Sequence, residues 1–380
     1  MTLMTPAQRA LATVLPFEYG SVLRYDRLGA ARAFALDGAP VSIELPRKAY
    51  AYGLRVRVTG SVVVSTATLV PKGAGIWNYL RRIVLDTPGL RSPIRCSGDS
   101  LHLDNVLSRA LSMERVIGAE SVNASALDAN AWADSNLKSV AALGIGTSTW
   151  TLTYWVPLTR SIRDLRGIRP LGHGGQHSFL ELTPSTEAAL VTTPANIDAS
   201  AVTATVDLFY FDAPPPGVGR PDTRWSIILE DFRQSITAVG APGHKINVDP
   251  EGVILDIASR IVVNDAPSST DINDVTLDLD GKLYHNEVPY ELFAWVAERE
   301  RDIRLPVGVV AFDFDKFASE SEPFDASGGR RGRSWLYSEE FEDINPTIAL
   351  KTSATLGGGQ LDFSQTVVRR LAYTPDAAEG

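Results

Sequence analysis

One cysteine, Cys96, stands in 380 residues, which excludes an internal disulfide framework and any zinc site built on several thiolates. No apolar stretch approaches the ~20 residues of a membrane-spanning helix. The opening "MTLMTPAQRALATVLPFEYG" lacks the basic start and long apolar core of a secretory signal, so a soluble, unprocessed chain is expected. Positive charge is also in deficit. Lys and Arg number 36 against 45 Asp and Glu, a formal net charge of −9, which argues against sequence-independent binding to nucleic acid phosphates. There is no G-x-S-x-G nucleophile elbow, and no glycine loop ends in G-K-S or G-K-T. Carboxylates are abundant, yet nothing in their spacing makes two of them converge as a glycosidase pair. No cofactor, no catalytic residue and no enzymatic activity are expected.

What remains is globular: 44% of the residues are hydrophobic and 21% charged. The length suggests two domains. A break falls at "FDAPPPGVGRPDTRW", residues 211–225, where consecutive prolines and glycines can continue neither a helix nor a sheet. The expected division is a terminal arm over 1–25, a first domain over 26–213, a linker over 214–224 and a second domain over 225–380.

Both halves read as β. In "YGLRVRVTGSVVV" Leu54, Val56 and Val58 alternate with Arg55, Arg57 and Thr59, placing one face in a core and a cationic face outside it. Similar alternation fills "STWTLTYWVPL", "VTATVDLFYF", "WSIILEDF", "GVILDIASRIVV" and "DFSQTVVRRLAY". Many short strands with Gly, Pro, Asn and Asp turns indicate two sandwiches with separate cores. Val253, Leu255 and Ile257 are expected in the second core.

Two helices interrupt the halves at comparable places. Residues 101–117 put Leu103, Val106, Leu107, Ala110, Leu111 and Ile117 on one stripe, with Asp104, Ser108, Arg109 and Arg115 elsewhere. Residues 289–303 put Leu292, Phe293, Val296 and Ile303 on one side. Strands, a helix, then more strands recur in each half, the mark of a duplication. "RRIVLDTPG" at 81 and "SRIVVNDAP" at 259 are locally alike, by chance or from strands that are not equivalent.

Several stretches carry candidate chemistry. In "PKGAGIWNYLRRIVLDT", Gly73 and Gly75 lack the third glycine and the following helix that a phosphate cradle needs. "TLDLDGKLYHNE", residues 276–287, approaches a calcium loop, with Asp278, Asp280, Gly281 and Glu287 in place. Thr276 stands where aspartate belongs and no helix enters, so an acidic hairpin is expected. His173, His177 and Glu181 are spaced four apart, but Gly174-Gly175 makes a helix improbable and a turn is the expectation. "GGRRGRSW" holds the one basic cluster, Arg330, Arg331 and Arg333, a loop able to contact nucleic acid or anionic headgroups if it is not simply solvated.

The Gly-aromatic turn into "LRRIVLDT", the strand "LPVGVVAFDFD" after the second helix and the closing "NPTIALKTSATL … QTVVRRLAY" pair give the chain, over about residues 30–375, a family likeness. With two tandem sandwiches, each with an inserted helix, it resembles the double jelly-roll major capsid proteins of icosahedral, often membrane-containing, bacteriophages and related viruses. The resemblance implies a mainly β fold of two tandem eight-stranded jelly rolls. It also implies a homotrimer shaped as a pseudo-hexagonal block and self-assembly into a virion shell after synthesis in the host cytoplasm. The partners it implies are neighbouring trimers, vertex or minor capsid proteins and, in membrane-containing virions, an internal lipid layer. The turn at 73–79 is then a corner, with Trp77 and Tyr79 as packing residues. A two-domain, bicupin-like carbohydrate-active or carbohydrate-binding protein on the same scaffold is the alternative.

The first fifteen residues read as an assembly element. Thr5 as N-cap, Pro6 at the first helical position and Gln8 reaching back form a capping box. Ala7, Ala10, Leu11, Val14 and Leu15 make an apolar stripe that Pro16 ends. A helix of about ten residues is marginal alone and needs a surface.

Overall fold

The computed structural model describes residues 17–373 apart from 65–71, 109–145, 172–176, 191–196, 315–335, 338–342, 355–362 and shorter stretches of one to three residues. Residues 1–16 of the N-terminal arm, the 330–333 arginines, His173 and Gly73 lie outside the described residues; the rest of the expected arm holds a helical turn at Phe17–Gly20 and the start of the strand Leu23–Arg27, so the boundary expected at 25 falls inside a strand.

Eight principal strands build the first half: β1 (Leu23–Arg27), β2 (Val41–Leu45), β3 (Tyr50–Val64), β4 (Leu80–Thr87), β5 (Leu90–Cys96), β6 (Gly146–Pro157), β7 (Ser178–Pro184) and β8 (Val202–Phe211). They pair in the orders β1-β8-β3-β6 and β2-β7-β4-β5. The second half repeats the scheme with β9 (Trp225–Ser235), β10 (His244–Lys245), β11 (Val253–Val263), β12 (Ile272–Leu279), β13 (Lys282–Pro289), β14 (Val309–Asp313), β15 (Ile344–Leu350) and β16 (Phe363–Tyr373). Its orders are β9-β16-β11-β14 and β10-β15-β12-β13. Numbered within each half, the sheets run 1-8-3-6 and 2-7-4-5 both times: two jelly rolls. Helix α1 (Gly98–Leu107) follows the fifth strand of the first roll, and α2 (Tyr290–Arg301) follows the fifth strand of the second. The duplication read from the sequence is therefore one of topology. The resemblance of residues 81–89 to 259–267 is not part of it, because the former begins in β4 and the latter in β11, which occupy different places in their rolls.

Alternation is realised in β3, where Leu54, Val56 and Val58 are buried, Arg55 and Arg57 half-buried and Thr59 exposed. The separate cores are not realised as expected. β5 and β9 pair in parallel, Leu229 opposite Ile94 and Glu230 opposite Arg95, joining strands of both rolls into one ten-stranded sheet. β11 is consequently covered on both faces and every one of its 11 residues is buried. Val253 and Leu255 pack with the first roll's cluster, while Ile254 and Ile257 pack in the second. A register shift between Ile254 and Asp256 turns the strand between them.

Both helices depart from their expected faces. α1 is buried all round, Asp104 included, because the second roll covers the side that the sequence leaves polar. α2 buries Tyr290, Phe293 and Ala297, a spacing that puts Leu292 on the far side, where it is exposed. The corner before β4 is one 3₁₀ turn, Gly75–Tyr79, with Trp77 and Tyr79 buried as packing residues.

β12 and β13 form a hairpin across Asp280 and Gly281, both with positive φ (52° and 76°), the geometry of the tight turns that suit strand twist. A Cβ at Gly281 would meet nothing within 4 Å, so substitution costs only the strained backbone. Gly281→Ala is expected to lower stability by about 1–2 kcal/mol in urea unfolding with an unchanged slope.

Candidate functional site: the buried junction between the rolls

Where α1 meets the second roll, a largely buried polar network joins the two. Ser97 caps α1, its hydroxyl accepting from the Ser100 amide at 3.3 Å. That hydroxyl and the Ser97 amide also donate to Asp231 of β9, at 2.7 and 2.8 Å, so a carboxylate of the second roll sits at the positive end of the first roll's helix. The Gln365 amide on β16 donates to Ser97 Oγ at 2.7 Å and Ser100 Oγ at 2.8 Å. Asp99 pairs with Arg260 of β11, the two side chains only 3% and 2% exposed. One turn on, Asp104 faces Arg369 of β16 at 3.6 Å, and Arg369 binds Asp256 at 2.6 Å. Burial raises the Asp104 carboxyl above its ordinary value despite the opposing Arg369 charge.

The first-roll side of α1 is fixed just as closely. Asn105 accepts from the Trp155 amide at 2.8 Å and donates to the Trp155 carbonyl at 2.7 Å, spanning one residue of β6. His102 stacks on Trp77 with ring centroids 3.4 Å apart and planes within 6°. Tyr154 donates to the Trp77 carbonyl at 3.0 Å, and burial pushes its phenol well above the usual value. Aspartates and arginines buried in pairs are costly to desolvate, and their return is geometric: Asp99 on Arg260 and Ser97 on Asp231 meet only in one relative placement of the rolls. Chemically the junction is a lock, since Asp99, Asp231 and Asp256 are engaged by guanidinium groups or a hydroxyl and Asp104 faces Arg369.

A second ion cluster lies on the outer face of the β1-β8-β3 sheet, where Asp207 accepts from Arg27 at 3.0 Å and Arg55 at 2.7 Å. Burial raises the Asp207 carboxyl, but the two arginines outweigh it and hold it below its ordinary value. A depressed carboxyl contributes stability that is complete above the unfolded value of about 3.9 and is lost as pH falls through the lower folded value. The stability gap between wild type and Asp207→Asn is expected to shrink on acidification from about pH 5 to about pH 2. A gap that stayed constant in denaturant titrations over that window would contradict this.

The other sequence candidates do not assemble into a site. Residues 276–287 are the β12–β13 hairpin, with the Glu287 amide donating to Thr276 Oγ1 at 3.1 Å and Asp280 accepting from the Asp343 amide at 2.8 Å. His177 contacts Glu44 and Arg47, whereas Glu181 lies in β7 between Ser42 and Val84. Among the described residues no group of three His, Cys, Asp or Glu side chains is placed to hold a metal. A cleft of about 370 Å³ is lined by Glu230, Phe232, Asn247, Val248, Val368 and Arg370, and its one carboxylate is bound by Arg370 at 2.5 Å. Sequence reasoning missed the junction, although a signal was present: Asp256 and Arg260 interrupt the otherwise apolar "VILDIASRIVV".

Compared by sequence, the chain matches no protein-family model and no curated protein. Compared by shape, it matches solved structures along nearly its whole length. The STIV major capsid protein aligns at TM-score 0.64 and 12% identity, covering 94% of this chain and 100% of that one. The major capsid protein P2 of bacteriophage PM2 aligns at 0.53 and 10%, covering 94% and 99%. The fold is a double jelly roll. The Faustovirus major capsid protein aligns at 0.53 and 8%, covering 93% and 90%, so the double jelly roll is preserved here where sequence likeness is almost gone.

Proposed function

We propose that the chain is a viral major capsid protein whose double jelly roll assembles as homotrimers, pseudo-hexagonal blocks, into an icosahedral virion shell. The observation that carries this reading is the pairing of two rolls with one strand order through a buried, charge-specified junction. A shell block must hold its rolls at a fixed angle under load, and such a junction does that without a catalytic cleft. Support also comes from the full-length agreement in shape with proteins named as major capsid proteins of STIV, bacteriophage PM2 and Faustovirus. The role is structural and not enzymatic, and the chain works in the virion after synthesis in host cytoplasm. Its partners are neighbouring trimers, vertex or minor capsid proteins and an internal membrane where one exists. Residues 1–22 act as a connecting arm, 23–213 and 225–380 as the rolls and 214–224 as the linker. Thr5, Pro6, Leu11, Val14 and Leu15 are the arm residues that join blocks, and Arg330, Arg331 and Arg333 are a surface contact loop.

Light scattering of the purified chain at micromolar concentration is expected to give about three chain masses. A persistent single chain would refute the trimeric block.

A further inference from the structure

The two rolls repeat one design, so the contact between them inside the chain is a template for a contact between chains. α1 covers the outer face of the β9-β16-β11 sheet through Asp99 on Arg260, Ser100 on Gln365 and Asp104 facing Arg369. α2 follows the equivalent strand of the second roll. Counted from the first residue of each helix, Asp99 corresponds to Glu291, Ser100 to Leu292 and Asp104 to Val296. In α1 these three positions are buried. In α2 Glu291 is exposed, Leu292 is 50% exposed and Val296 is half-buried, while Trp295, one turn from Glu291, is 53% exposed. The opposite side of each helix serves its own roll: Leu101 and Asn105 in α1, Phe293 and Ala297 in α2. α2 therefore presents to solvent the side that α1 spends on a neighbouring roll.

The face of the first roll equivalent to the one α1 covers is the outer face of β1-β8-β3. It carries Tyr25, 74% exposed, with Phe209 opposite it in register and Arg27 and Arg55 around Asp207. Two arginines against one aspartate make it cationic, the complement of Glu291.

We propose that α2 of one copy docks on the outer β1-β8-β3 face of the next copy, with Leu292 and Trp295 as apolar anchors beside Tyr25 and Glu291 turned to the arginines. The inference rests on the trimeric reading above and adds the surface that closes it. A head-to-tail contact of this kind closes only as a ring, and three copies repeat one junction between all neighbouring rolls.

The test uses full-length chains. Leu292→Glu/Trp295→Glu disables the helix side, and Tyr25→Glu/Arg27→Ser disables the face. Leu283→Glu, at a residue 55% exposed on β13, is the control. The control and wild type are expected to be trimers, and each double variant a single chain that melts as one cooperative unit. Mixed, the two double variants are expected to form a two-chain complex, because one intact helix meets one intact face. A helix variant that stays trimeric, or a mixture that yields no pair, overturns the proposed surface while leaving the shell reading standing. A wild type that never exceeds one copy overturns both. If the glutamates prevent folding, Leu292→Ser/Trp295→Ser serves with the same readout.

Discussion

Replacing Arg260 by methionine is expected to destabilise the folded chain by about 3–5 kcal/mol, because Asp99 is left charged and buried without its partner. The helix cannot turn the carboxylate to water, since every residue of α1 is buried. Removing both charges together should behave differently. Asp99→Leu/Arg260→Met is expected to recover most of the loss, as buried pairs are often matched by apolar residues of similar volume. Denaturant unfolding of the wild type, both single variants and the double variant gives the coupling directly. A single variant within about 1 kcal/mol of wild type would mean that water or another cation reaches Asp99, and the junction would not be a lock.

Trp77→Ala is the second large effect, about 3–5 kcal/mol, from the lost transfer energy and the cavity left behind. Trp77 is 5% exposed, lies flat on His102 and meets Tyr154 edge-on at 5.6 Å. Tyr154 bonds to the Trp77 backbone carbonyl, so its hydroxyl keeps its partner in the variant and the cost is one of packing. Stability measured in urea should fall with little change in slope. A loss below about 1 kcal/mol would show the corner collapsing around the gap.

Much of the double jelly roll was legible because period-two patterns depend only on near neighbours: Leu54, Val56 and Val58 announced their face without knowledge of what covers it. The corner at Trp77 was read instead through the family likeness, from the glycine-aromatic turn that leads into a strand. The ten-stranded sheet was not, since β5 and β9 pair in parallel with no turn between them and only two residue pairs in register. α1 misled for a related reason. Asp104 marks a solvent face unless an arginine from far along the chain arrives to face it, as Arg369 does. α2 misled through phase, because Leu292 is as apolar as Phe293 and local spacing alone does not reveal that it faces outward. Both helices were misread on the sides where rolls meet or, by the proposal above, where copies meet.

The measurement that reaches the central claim most directly is electron microscopy of the purified, concentrated protein, with an ionic-strength and pH screen to promote assembly. Closed shells or curved facets tiled by pseudo-hexagonal blocks are the predicted result. Dispersed single chains under every condition, with no blocks of three, would contradict a shell-building role.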